Sequence, residues 1–242
     1  MIVWGLVCLA VFSTSGCVFL RLLELKNQLV EFDQNFTVDR SDGLTITCLN
    51  PVMLEQDMWL LGLPPTTRES TGDGVVWTLI FEKLYPEIPQ EPPDFDLSVS
   101  LGFVEGKLTG FHLGEEYFTL IPKDAILMTI KSLGQLKIDT AGRRAVLDIE
   151  ESDAPEWNFR APKKPDIVAT LGAPYLEEGD DDGGTILEYH YRLVPPPSAS
   201  APDQPEDTGK KYLIRIVFSR TDHILNVSGT LPLVGSINIS YE

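Results

Sequence analysis

Polar and apolar positions change period several times along this chain, and each change marks an element. From residue 18 to 36, in "VFLRLLELKNQLVEFDQNF", Leu22, Leu25, Leu29 and Phe32 recur at spacings of three, four and three, which predicts an amphipathic helix. A second long helix is predicted for "PKDAILMTIKSLGQL" (122–136), opened by Pro122 and broken near Gly134. Two shorter helical stretches, "VMLEQDMWLLG" and "PDIVATLG", each end on a glycine able to take the left-handed conformation. A proline two residues later, Pro64 or Pro174, prevents continuation. Elsewhere the period is two. Leu97, Val99, Leu101 and Phe103 alternate with Ser98, Ser100 and Gly102, and Leu187, Tyr189 and Tyr191 alternate with Glu188, His190 and Arg192. Such runs are half-buried strands of an antiparallel sheet with one wet face. "GLTITCL" (43–49) and "RRAVLDI" (143–149) read as further strands, and Glu105-Gly106 as a tight hairpin turn.

The pattern repeats. "LLGLPPTTRESTGDGVVWTLIFEKL" (60–84) lines up with "TLGAPYLEEGDDDGGTILEYHYRL" (170–193), placing Leu61-Gly62-x-Pro64 over Leu171-Gly172-x-Pro174 and Trp77-x-Leu79-x-Phe81 over Leu187-x-Tyr189-x-Tyr191. Further on, "DLSVSLGFVEGKLTGF" (96–111) parallels "KYLIRIVFSRTDHILNV" (211–227). The expected fold is α+β: two tandem repeats, 17–117 and 118–230, each with helices packed on one face of an antiparallel sheet. A Pro-rich loop, 194–209, interrupts the second repeat, and a tail, 231–242, has strand-like alternation suited to pairing with a sheet edge. Helix, LGxP, polar loop, a strand with aromatic alternation and two more strands together resemble the small outer-membrane lipoproteins of the BamE (SmpA/OmlA) type. They also resemble the tandemly duplicated β-lactamase inhibitor protein. The resemblance implies a non-catalytic, protein-binding module, sometimes part of envelope assembly.

The N-terminus bears on the address. "MIVWGLVCLAVFSTSGCVFL" carries no charge before Arg21, and an apolar run followed by small residues has the shape of an export signal. Thr14-Ser15-Gly16-Cys17 resembles the lipobox of bacterial lipoproteins, with Thr14 in place of the usual Leu and no Lys or Arg before the apolar run. The resemblance implies removal of residues 1–16, acylation of Cys17 and, with Val18 rather than Asp next, an outer-membrane location facing the periplasm. An uncleaved N-terminal helix and a plain secreted chain are the alternatives. In the secreted case a Cys17–Cys48 disulfide becomes available; otherwise Cys48 is a lone strand cysteine. The three N-x-S/T sequons, at Asn35, Asn226 and Asn238, would matter only in a eukaryotic secreted chain.

Charge narrows the partners. Asp and Glu number 36 against 19 Lys and Arg, a net charge of −17, which argues against nucleic acid or anionic lipid as the main partner. No catalytic constellation is apparent, and no cofactor is expected: the three histidines have no metal-site spacing, no cysteine pair has zinc spacing, and no GxSxG elbow occurs. "EEGDDDGG" (177–184) is the one concentration of carboxylates. Asp180, Asp181 and Asp182 are the calcium candidates, but their spacing does not match an EF-hand loop, and a solvated turn is the preferred reading. Glu188, His190, Arg192 and Arg215 project from the wet face of neighbouring strands and form a mixed-charge candidate surface for binding another protein. The expected function is a non-catalytic envelope lipoprotein that binds or scaffolds other envelope proteins; the alternative is a secreted or periplasmic carrier of calcium or a small ligand.

Overall fold

The computed structural model describes residues 18–86, 96–119, 123–135, 137–139, 144–147, 162–180, 183–196, 211–231 and 235–240. Residues 18–30 are helix α1, followed by α2 (Phe32–Asn35), β1 (Phe36–Asp39), β2 (Leu44–Cys48) and α3 (Glu55–Leu60). Next come β3 (Thr67–Ser70), β4 (Val75–Leu84), β5 (Leu97–Val104) and β6 (Lys107–Leu113). Two 3₁₀ turns (Glu115–Thr119 and Leu133–Gln135) flank α4 (Lys123–Ser132), and β7 (Lys137–Asp139) and β8 (Arg144–Leu147) follow. The last elements are α5 (Lys164–Leu171), β9 (Leu176–Gly179), β10 (Thr185–Leu193), β11 (Lys211–Phe218), β12 (Ile224–Leu231) and β13 (Gly235–Ser240).

The thirteen strands of the described residues belong to one sheet, in the order β1-β2-β6-β5-β4-β10-β11-β12-β13-β8-β7, with β3 on β4 and β9 on β10. Every pairing is antiparallel except β13 with β8. The expectation of two tandem repeats, each with helices packed on one face of an antiparallel sheet, is overturned: the described residues form mainly one large sheet. β4 and β10 pair directly, from Phe81↔Leu193 to Leu84↔His190, so strands of the two halves share one sheet. Period-two alternation reports which face of a strand is buried and is silent on which edge is paired. The core is shared as well. Trp77, Leu79, Leu101 and Phe103 are buried in one cluster with Leu187, Tyr189, Tyr191, Ile216 and Phe218, together with Met58 of α3 and Ile167 and Leu171 of α5. Burying such a side chain stabilises the fold by about 1.5–3 kcal/mol relative to leaving it wet. A second cluster joins Phe32, Phe36, Leu44 and Ile46 to Leu127 of α4.

Several elements lay hidden from the periodicity. β3 ("TRES") and β9 ("LEEG") are exposed at every residue and therefore carry no alternation. β1 begins at Phe36, inside the stretch predicted as helix, because the Asn35 side-chain amide donates to the carbonyls of Glu31 and Gln28 and competes with the helical ladder. The tail strand β13 is internal to the sheet, between β12 and β8, rather than at its edge. Local chemistry follows expectation at the turns. Gly62 and Gly172 end α3 and α5 with φ of 76° and 72°. The β5–β6 turn puts Glu105 at φ 50° and Gly106 at φ 73°, the left-handed pair of a two-residue hairpin.

Candidate functional site

Strand β10 alternates buried and half-exposed along its length, so Glu188, His190 and Arg192 share its wet face while Leu187, Tyr189, Tyr191 and Leu193 share the core face. The pairings extend that wet face sideways. Arg215 of β11 stands opposite Glu188 and Lys211 stands opposite Arg192, while Glu82 of β4 faces Arg192 from the other side. The four residues singled out from the sequence therefore lie together. Glu188 is the hub: its Oε1 is 3.8 Å from Arg215 Nε and its Oε2 is 3.6 Å from His190 Nε2. Arg192 donates to Glu82 Oε2 at 2.7 Å. The side chains of Arg192, Arg215 and Glu82 are 38–46% exposed, so these pairs are screened and each contributes at most about 1 kcal/mol to stability. They remain available to a partner.

Tyr175 completes the surface. Its ring stacks on His190 with centroids 3.9 Å apart and planes 15° apart, while its backbone N–H donates to the Glu188 carbonyl at 2.7 Å. Neither Tyr175 nor Glu82 was legible as a site residue. Tyr175 precedes a strand without alternation, and Glu82 belongs to the half of the chain that the pattern assigns to the other repeat.

Beneath this face the sheet is held by buried polar groups. Lys83 is 4% exposed, and its ammonium donates to the carbonyls of Leu171 and, at 2.7 Å, Ala173, at the C-terminal end of α5. The same ammonium lies 5.0 Å from the Tyr189 ring centroid. The Tyr189 hydroxyl donates to the Gly172 carbonyl and the Tyr212 hydroxyl to the Gly62 carbonyl, each at 3.3 Å, so β10 and β11 grip the ends of α5 and α3. Burial pushes the hydroxyls of Tyr189, Tyr191 and Tyr212 above their ordinary value near 10, with the charge of Glu177 adding to the effect at Tyr189. The folded state therefore keeps protons that the unfolded chain releases above pH 10. This contribution to stability is complete below that pH and is lost above it. A series of urea titrations is expected to show the unfolding midpoint falling as pH rises beyond about 10.

The other candidates fall elsewhere. Asp180 sits in the turn before β10, where its N–H donates to Gly184 O at 3.0 Å and its carbonyl accepts from Gly183 N at 2.8 Å. Its neighbours Asp181 and Asp182, and the acylation candidate Cys17, lie outside the described residues. Among the described residues no group of three or more His, Cys, Asp or Glu side chains is arranged to hold a metal ion. Among them, too, no helix is long and apolar enough to cross a membrane. Burial pushes the Cys48 thiol in β2 up to about 11. At pH 8 its thiolate is scarce, and peptide mass mapping is expected to show Cys48 alkylated by iodoacetamide roughly 100-fold more slowly than an ordinary free cysteine.

A second polar concavity, of about 330 Å³, is lined by Glu24, Asn27, Gln28, Glu31, Asn35 and Asn50. Glu24, Gln28, Glu31 and Asn35 recur at spacings of four, three and four, a polar helical stripe visible in the sequence. Its amides are engaged internally: Gln28 donates to Asn50 O at 2.9 Å, and Asn50 to Asn35 Oδ1 at 3.3 Å. That bonding fastens α1 to the segment after β2 and gives the concavity a structural role.

No protein-family model, curated protein or solved structure matches this chain.

Proposed function

We propose that this protein is a non-catalytic envelope lipoprotein, held at the outer membrane through Cys17, whose polar sheet face binds another protein. The observation that carries the binding role is the half-exposed cluster of Glu82, Glu188, His190, Arg192, Lys211 and Arg215 on three adjacent strands. Three fixed cations meet two carboxylates there, in a chain whose net charge is −17. Local charge of the opposite sense to the rest of the surface steers and orients a partner, chiefly one that presents carboxylates to Arg192, Lys211 and Arg215. The buried tyrosines and Lys83 behind the face hold it rigid, which lowers the entropy cost of recognition.

The anchoring role is supported by the sequence before α1. It is tested by the intact mass of the chain recovered from the membrane fraction of an expressing bacterium: a chain beginning at Cys17 and carrying acyl groups is expected. The binding role is tested by cross-linking in the same cells. The double variant Arg192→Glu with Arg215→Glu is expected to fold, by circular dichroism, and to lose about tenfold of its cross-linked product, a change of ~1.4 kcal/mol in affinity. Undiminished cross-linking would move the interface elsewhere.

A further inference from the structure

Helix α1 changes character along its outer side. Inward, Leu22, Leu25 and Leu29 pack on the two cores. Outward, the later turns carry Glu24, Asn27 and Glu31 with one exposed apolar residue among them, Val30 at 64%, whereas the first turns expose Phe19, Leu20 and Leu23 at 72%, 67% and 49%. The Arg21 guanidinium clasps the Asp57 carboxylate and so ties α3 to this same end of α1. α3 buries Asp57 and Met58 and leaves Trp59 and Leu60 more than half exposed. Scattered apolar residues are ordinary on a protein surface; five large ones on two tethered helices are not. Their position adds a second observation. In the chain, Phe19 and Leu20 follow within three residues of the acylation candidate Cys17, which itself follows sixteen residues without a single charge, "MIVWGLVCLAVFSTSG".

We infer that this end of the protein, carrying Phe19, Leu20, Leu23, Trp59 and Leu60, is seated in the headgroup–acyl boundary of the bilayer. The inference rests on the proposed N-terminal anchoring and deepens it. The anchor holds the chain at the membrane, and the patch fixes which way the body faces. Phe and Leu enter the acyl edge, and Trp, apolar with one polar N–H, belongs at that depth. A lipid occupant suits the patch better than an acidic protein surface, because its own exposed groups are hydrocarbon. Because the net charge of −17 repels anionic headgroups, the seat is hydrophobic rather than electrostatic.

The chain has four tryptophans, Trp4, Trp59, Trp77 and Trp157. The test uses the full chain carrying Trp4→Phe and Trp157→Phe, purified from membranes and reconstituted into phosphatidylcholine vesicles with or without bromine on the acyl chains. Flotation reports the anchor and tryptophan quenching reports the seat. Brominated lipid is expected to quench roughly half of the emission, one tryptophan of two, and to quench almost none when Trp59→Phe is added. Leu20→Glu with Leu23→Glu, on the same background, is expected to float unchanged while losing most of that quenching. Vesicles that float with equal quenching with and without Trp59 overturn the inference alone. So does a floating, unquenched chain that cross-links to itself, which gives the patch to a second copy. A chain that does not float overturns the anchoring and the seat together.

Discussion

Replacing Arg21 by Ala is expected to destabilise the fold by about 3 kcal/mol, at the lower end of the range for breaking a buried ion pair. The cost comes from what remains. Asp57 is fully buried and accepts two hydrogen bonds from Arg21, through Nε at 2.6 Å and through Nη2, and a third from the Leu54 N–H at 2.8 Å. Without Arg21 the carboxylate keeps one neutral donor in a place without water. The Arg21 side chain is 22% exposed, which admits some solvent and places the figure at the lower end. The paired variant Arg21→Met with Asp57→Leu is expected to recover most of the loss, since it removes both charges and leaves none stranded. Guanidinium unfolding followed by circular dichroism checks both. A loss below 1 kcal/mol for Arg21→Ala would mean that Asp57 is solvated and that α1 is not fastened to α3 as described.

Trp77→Ala is expected to cost about 3–5 kcal/mol, the range for truncating a large buried aromatic. Trp77 is fully buried; its ring meets Phe103 at 4.9 Å and, edge-on, Trp59 at 5.9 Å between centroids. It stands where α3 meets the middle of the sheet, so the cavity left by Ala would border several elements that cannot all close in. Trp77→Phe is a sharper test. Among the described residues the indole N–H has no hydrogen-bond partner, so Phe loses volume but also removes a buried, unsatisfied donor. Its cost is expected to be less than half that of Ala in the same unfolding experiment. Equal costs would show that the indole nitrogen is bonded after all.

The wet and dry faces of β5 and β10 were legible because each alternates apolar and polar residues against a single core. The same rule placed Glu188, His190 and Arg192 side by side, and it placed Arg215 on the wet face of the next strand. Pairing between the two halves was not legible. Nothing in "VVWTLIFEKL" says that its last four residues lie against "HYRL", because an interior strand and an edge strand of one sheet carry the same alternation. For that reason Glu82 was missed at the site, and the alternation left open whether the two halves share a sheet. Lys83 shows the same limit from the inside. Period two from Trp77 and Phe81 points it inward, yet an inward lysine is tolerable only with acceptors, and these lie 88 and 90 residues further on, at Leu171 and Ala173. The helices were found where their apolar spacing and glycine stops were plain. The first predicted helix divides at Glu31 into α1 and α2 and ends at Asn35, one residue short, with no proline or glycine to stop it.

The width of the sheet raises a colloidal question. A broad sheet offers open backbone donors and acceptors at its margins, and an anchored protein concentrates many copies in two dimensions, where one margin can template the next. Here the outermost strands of the ordered path, β1 and β7, are four and three residues long, and the side strands β3 and β9 are four residues each. Such stubs allow a neighbouring chain too few hydrogen bonds to hold, and like-charged neighbours at −17 repel before contact. Under the proposed anchoring, dense lateral packing is thereby compatible with each copy remaining a separate particle rather than a unit of a growing ribbon.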